Sequence, residues 1–356
     1  MKNDDTHASL VPRAYPALWP CLGLLLLLVF MLDMVAGTSN IPFLNVIAIL
    51  LGQQDEPERW RQVVLLFRLP RALTAMLTGA ALGIAGLKMQ TLFRNPLADP
   101  FVLGVSSGAS LGVALVVLTV SGLGGILPAL SGLLGNSAIV FAAICGAGLV
   151  MAVVLCVARK MESAITLMIV GLMFGYIASS LVSVLMQFTT ETRMRNYITW
   201  TFGSFAGVTW SQMKIFAPVI LVGITAACTL AKSLNAFLLG DGYARSMGVN
   251  VRRARIQVIV GTAMLAGAVT AFCGPIGFLG VAVPHLSRML LRTNDHNVLI
   301  PAVLLIGSSL ALLADIVAQV PGTDFSLPLN AVTALIGAPV VVGIILRRRT
   351  PATMEA

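Results

Sequence analysis

Ten apolar stretches, most of them about 20 residues long, run through this chain. They fall at about 17–37, 71–92, 101–120, 137–158, 164–188, 211–232, 255–274, 277–291, 298–319 and 328–346. A helix needs roughly 20 predominantly apolar residues to cross the hydrocarbon core of a bilayer. None of the stretches alternates apolar and polar residues as a barrel strand does. The expected fold is an all-α polytopic membrane protein of about ten transmembrane helices, forming one transmembrane domain over 1–356. The eighth stretch is short and reads as a broken or tilted helix. A soluble core cannot absorb such a chain. It is 58% hydrophobic and only 10% charged, whereas soluble domains carry about a quarter charged residues.

The net charge of +9 does not point to nucleic acid, because the basic residues sit at the ends of apolar runs. Read as topology, they put both termini in the cytoplasm, with 1–16 as an N-terminal tail. Sixteen of the 23 Lys and Arg residues then lie inside, among them Lys88, and seven outside: Arg59, Arg61, Arg68, Arg71, Arg193, Arg195 and Lys214. The first run is read as a span and not a signal peptide, since Asp4 and Asp5 interrupt the basic segment before it. Between the first two spans lie an amphipathic piece near Ile41–Leu51 and a charged stretch from Asp55 to Arg61. Tyr197–Ser204 is too short to span and is expected at the interface.

A weak internal repeat is visible. RALTAMLTGAALGIAG opens the second span and RRARIQVIVGTAMLAGAVTAFCG the seventh. Each has a basic start, a helix rich in small residues and then a Pro/Gly break. Five spans separate the copies, so they run in opposite directions, an arrangement common among transporters.

Several chemistries find no support. No Gly-x-x-x-x-Gly-Lys-Ser/Thr loop occurs to cradle a nucleotide phosphate. The three histidines, His7, His285 and His296, have no partners at metal-ligand spacing. The five cysteines lie in apolar segments without a Cys-x-x-Cys pair and read as packed small hydrophobes. Asp315 is taken as the one acid inside an apolar span, to be faced by protein or water because lipid would not tolerate it. No catalytic, cofactor or metal site is expected on the chain. Active transport would need an outside energy source, unless the protein is an ion-coupled secondary transporter, which calls for more intramembrane ionisable groups than Asp315.

Four segments stand out. They are Arg68-Leu69-Pro70-Arg71; Arg94-Asn95-Pro96-Leu97-Ala98-Asp99-Pro100 with FVLGVSSGASLG after it; LNAFLLGDGYARSMGVNVRRARI at 234–256; and CGPIGFLGVAVPHLSRML at 273–290, followed by LLADIVAQ and LPLNAVTALIGAPVVVGIILRRR. In this order and spacing they resemble the permease subunits of the iron-chelate (ferric siderophore), haem and vitamin B12 class of ABC importers, the FecCD-type family. The likeness runs from about Arg68 to Arg349. It implies a homodimer of ten-helix subunits in the inner membrane of a bacterium. Two cytoplasmic ATPase subunits would bind ATP and Mg, and a periplasmic or lipid-anchored binding protein would deliver the chelate. That chelate is expected to be a ferric siderophore, with haem or cobalamin as alternatives.

By resemblance, 234–256 is the cytoplasmic coupling segment, with Leu239, Gly240, Asp241, Ala244, Met247 and Gly248 meeting the ATPase. Leu238, Leu239, Ala244, Met247 and Val249 would supply its apolar face around Gly240 and Gly248, which allow tight turns. Asn95 and Leu97, between two prolines, would form one part of a cytoplasmic gate, and Ser163 and Ile165 another. Gly171, Gly175, Ser179, Ser183 and Gln187 recur every four residues in the fifth span. This small, weakly polar stripe either lines a pathway along a dimer axis or packs against a neighbouring helix. Arg68 and Arg71 would receive carboxylates of the binding protein. If Arg71 opens its helix, the dipole there does not favour its charge, so helix stability gives it no purpose. The family's third outer arginine has no counterpart here, where Gln319 stands near the end of the ninth span.

Overall fold

In a computed structural model of the chain, every regular element among the described residues is helical. The structure describes residues 15–37, 39, 41–53, 56–119, 135–160, 164–320 and 326–348. The first span is α1 (Tyr15–Val35); α2 (Phe43–Leu50) and α3 (Glu58–Gln62) follow it. Next come α4 (Leu69–Leu92), α5 (Val105–Ala114), α6 (Gly135–Lys160) and α7 (Ala164–Gln187). The short α8 (Glu191–Thr201) precedes α9 (Trp210–Thr229), α10 (Ala231–Leu238) and α11 (Asp241–Ser246). The chain ends in α12 (Val251–Cys273), α13 (Leu279–Leu291), α14 (His296–Gln319) and α15 (Leu329–Arg348). Among the described residues, seven helices are long and apolar enough to cross a membrane, and Val105–Leu118, Leu279–Leu291 and Leu329–Gly343 are shorter apolar helices, in keeping with about ten spans.

Small residues decide which helices meet. Lipid is as apolar as leucine, so helices in a bilayer gain most where their backbones approach closely. A Cβ on Gly79 of α4 would lie 2.0 Å from the Gly307 carbonyl of α14, and one on Gly86 would lie 1.7 Å from the Gly280 carbonyl of α13. Gly112 of α5 meets the Ala142 carbonyl of α6 in the same way. The small-residue helices α4 and α12, the two members of the apparent repeat, are accordingly the most buried spans. Each is followed by a short apolar helix, α5 or α13. Leu24, Leu27 and Leu28 of α1 and Phe141 and Leu149 of α6 are exposed apolar side chains.

Two expectations about charge placement need correction. Hydropathy starts the second span at Arg71, yet the helical path continues unbroken from Glu58 through α3, a π-helical turn at Val63–Arg68 and α4. The wide turn accommodates Pro70. The Leu69 N–H reaches back five residues to the Val64 carbonyl. The next carbonyl, Leu65, would need an N–H that Pro70 lacks. Trp210 Nε1 donates to it instead, at 2.8 Å. Arg71 therefore lies inside a helical run and not at its positive end. Lys88, counted above as a cytoplasmic charge, is 1% exposed within α4. Its Nζ has no hydrogen-bond partner among the described residues.

Because the α4–α13 contact leaves no room for a methyl group, Gly86→Ala should destabilise the protein by about 1–3 kcal/mol. Gly148, which has open space where its Cβ would be, should tolerate alanine. The fraction of monodisperse protein left after heating in detergent checks both. Equal survival of the two variants would contradict the packing.

Candidate docking, coupling and pathway sites

At one end of the bundle, the end expected outside, Arg68 closes the turn after α1. Its guanidinium donates to the carbonyls of Met34 (3.0 Å), Val35 (3.1 Å) and Ser39 (2.5 Å). Gly37, at φ +142°, lets the turn wrap it, since a Cβ there would sit 3.0 Å from Nη2. Arg68 is thus buried, and its charge is met by the carbonyls at the end of α1.

Arg71 pairs side-on with Asp315, through Nε to Oδ2 at 2.8 Å and Nη2 to Oδ1 at 2.9 Å. This two-pronged geometry is the strong form of the contact. Asp315 is 1% exposed. Gln319 Nε2 donates to Asp315 Oδ2 at 2.9 Å and to Asp33 Oδ1 at 3.2 Å. Asp33 is a second intramembrane acid, on α1, and also buried. Asp315 is therefore not the only acid in an apolar span. Arg71 Nη1 makes no hydrogen bond among the described residues. Arg68, Arg71 and Gln319, with Gly37, Phe67 and Thr209, line an outer cavity of about 380 Å³.

At the opposite end of the bundle, the end expected inside, α10 and α11 form a bent two-helix element. Gly240 (φ +110°) and Gly248 (φ +80°) make its turns, as the sequence requires. Leu238, Leu239 and Met247 are exposed, and Tyr243 joins them. Ala244 does not belong to that face. It is fully buried in the core with Leu234 and Phe237, and Val249 packs against the same cluster. The apolar surface is therefore Leu238, Leu239, Tyr243 and Met247. Asp241 lies half-exposed between two arginines, Arg94 and Arg255.

A second tie runs through Asn235 of α10. Its Oδ1 accepts from the His296 backbone N–H at 2.9 Å and lies 2.7 Å from His296 Nδ1. Its Nδ2 donates to Asp295 at 2.7 Å. The other ring nitrogen of His296 is 2.8 Å from Thr91 Oγ1 of α4. Desolvation opposes ionisation of Asp295, but hydrogen bonds from Asn235 and Asn297 outweigh it and hold the carboxyl below its usual range. These ties come from residues far apart in sequence, and no local pattern announces them.

The loop at 93–99 is stiff. Asn95 Oδ1 accepts from the Leu97 N–H at 3.0 Å, and Asp99 Oδ1 accepts from Phe101 at 2.8 Å. Burial pushes the Asp99 carboxyl up to about 6, against that N–H. Leu97 is exposed. Ser163 lies outside the described residues, and Ile165 lies on α7 without a described side chain. Along α7 the stripe divides. Gly171 and Gly175 pack, since a Cβ on Gly104 would lie 2.7 Å from the Gly171 carbonyl and one on Gly175 3.3 Å from Ser107 Oγ. Ser179, Ser183 and Gln187 are exposed, and Ser183 Oγ donates to the Ser179 carbonyl at 3.0 Å.

A buried glycine-packed bundle, an apolar two-helix element at one end and an arginine-lined cavity at the other define a membrane-embedded transporter subunit built to meet partners on both sides. The sequence profile of the FecCD transport family matches residues 25–347, and the chain belongs to that family. It is 37% identical over 329 residues to the vitamin B12 import system permease protein BtuC of Shigella boydii serotype 18, covering 92% of this chain and 94% of the relative. The protein of the same name in Escherichia coli O6:H1 is also 37% identical, over 327 residues. Among solved structures, an inward-facing conformation of a metal-chelate type ABC transporter superposes with a TM-score of 0.80 at 30% identity, covering 94% of this chain and all of that one. The chain is thus an ABC-type importer permease of the metal-chelate and vitamin B12 class.

Removing one member of a buried ion pair strands the other, at about 3–5 kcal/mol, whereas replacing both with apolar residues is often neutral. Arg71 is partly exposed, so Asp315→Ala should cost about 2–3 kcal/mol. Asp315→Leu with Arg71→Met should recover most of it. Thermal melts of the single and double variants check this, and additive losses would contradict a direct pair.

Proposed function

We propose that this chain forms a homodimer carrying an intact metal chelate inward, with ATP hydrolysed on two partner subunits seated against α10 and α11. The carrying observation is the exposed apolar surface of Leu238, Leu239, Tyr243 and Met247. It is borne on an element hydrogen-bonded to Arg94 just after α4, to Arg255 of α12 and to His296 of α14. A surface for a membrane would not need such ties, whereas one that receives force does. Leu97, on the stiff loop beside this element, serves as one part of the inner gate with Asn95 holding its turn; Ser163 and Ile165 form the other. The second copy faces α7, whose exposed Ser179, Ser183 and Gln187 line the pathway.

On the outer face, a binding protein presents carboxylates to the open edge of Arg71, with Arg68 shaping the cavity behind it. Both termini are cytoplasmic. The substrate is a ferric siderophore. A corrinoid is the second reading, favoured by the vitamin B12 permeases among the relatives. A wide, weakly binding pathway suits either, because the described residues bring no cluster of three His, Cys, Asp or Glu together to strip the metal.

The experiment is ATPase stimulation of the reconstituted complex by its binding protein, loaded in turn with ferrichrome, haem or cyanocobalamin. The ferric siderophore should stimulate at least threefold over the empty binding protein. Stimulation by cyanocobalamin alone would move the assignment to corrinoids, and stimulation by none would contradict the chelate reading.

A further inference from the structure

Arg94 is unusual in both its backbone and its side chain. It follows α4 with φ +48°, in the left-handed region that favours glycine or asparagine at a helix end. A glycine at 94 would relax this backbone, so an arginine there must be explained by what its side chain does. The guanidinium crosses to the two-helix element. Nε donates to the Phe237 carbonyl at 3.2 Å, and Nη2 donates to Asp241 Oδ1 at 3.0 Å. It lies over the turn at Gly240, where a Cβ would sit 3.6 Å from Nη1. Asp241 Oδ2 accepts from Arg255 Nη2 of α12 at 2.7 Å. One carboxylate therefore holds an arginine from the loop after α4 and another from α12.

Stability does not account for this arrangement. The Arg94 side chain is 49% exposed and that of Asp241 39%, and ion pairs so open to water add little to folding. What the contacts do fix is distance. They tie α10 and α11 to the first residue of a loop stiffened at both ends, by Asn95 with Pro96 and by Asp99 with Pro100. A displacement of the element is then passed to Leu97 and is not absorbed by a slack connection.

We propose that Arg94 is the positioning residue that transmits movement of α10 and α11 to the Asn95–Asp99 loop, with Asp241 as its anchor and Arg255 bracing that anchor against α12. The proposal rests on the reading of α10 and α11 as the ATPase-docking element. The sequence gives Asn95 and Leu97 of this segment a role but none to Arg94, because only the fold brings it to Asp241.

The test uses the permease–ATPase complex in nanodiscs, with native cysteines replaced and Leu97→Cys as reporter. The rate of labelling by a polar maleimide is measured without nucleotide and after trapping with ATP and vanadate. With Arg94 present, trapping should change the rate at least fivefold. Arg94→Gly should reduce the change to less than twofold while the ATPase stays bound, Asp241→Asn should reduce it as well, and Arg94→Lys should recover part of it. A full response in Arg94→Gly and Asp241→Asn overturns the proposal. So does a reporter that never responds with Arg94 present, or loss of the ATPase from the Arg94→Gly complex. Met247→Glu tests the underlying reading separately. It should lower capture of the ATPase at least tenfold, and undiminished capture overturns the docking assignment whatever Arg94 does.

Discussion

Gly79 and Gly307 let the backbones of α4 and α14 touch, and the rest of the structure is arranged around that contact. The two helices run antiparallel and are fixed in register at three heights. Arg71 and Asp315 join them near the outer surface, and Ser308 Oγ donates to the Met76 carbonyl at 2.9 Å in the middle. Thr91 meets His296 at the inner end. Any side chain larger than hydrogen at the central crossing would separate the helices and pull all three polar contacts apart. The glycine face of α4 thus makes it possible to keep charge inside an apolar bundle.

This axis also explains where partners can act. Its outer end meets the cavity between α1, α4 and α14, where Gln319 bridges two carboxylates and Arg71 balances one of them. Its inner end is held by Asn235 and, through Arg94, by Asp241. A rigid rod with polar fittings at both ends joins the outer face to the inner one. The stripe along α7, by contrast, makes close backbone contacts at Gly171 and Gly175 and lies open at Ser179, Ser183 and Gln187. The division of the stripe follows from residue size, with glycine where backbones touch and serine or glutamine where space opens.

Much of this was legible in the sequence. An all-helical fold of about ten spans follows from hydropathy alone, and the glycine turns of α10 and α11 from residue type. The family likeness rested on motif order. Three things were hidden, each for a physical reason. The helix before Arg71 was masked because charged residues from Glu58 to Arg61 and a proline lower hydropathy and propensity, while a π turn and the Trp210 indole satisfy the backbone. Asp33 was overlooked inside a leucine run, since its partners Asp315 and Gln319 are almost 300 residues away in sequence. Lys88 and Ala244 are typical of a surface and an apolar face respectively, and only the packing of α4 on α12 and of α11 on the core buries them. Sequence periodicity reports which face of a helix is apolar. It does not report which apolar face another helix has already covered.

In the proposed function, force enters this chain from ATP on partner subunits and not from an ion gradient through its own buried acids. Asp33 and Asp315 are held by Gln319 and Arg71, which leaves no chain of acids across the bundle among the described residues. The most direct measurement is uptake of the loaded chelate into proteoliposomes holding the whole complex, with and without lumenal ATP, in the presence of proton and sodium ionophores. The account predicts uptake that requires ATP and is insensitive to the ionophores. Uptake driven by an imposed proton or sodium gradient in the absence of ATP would contradict it.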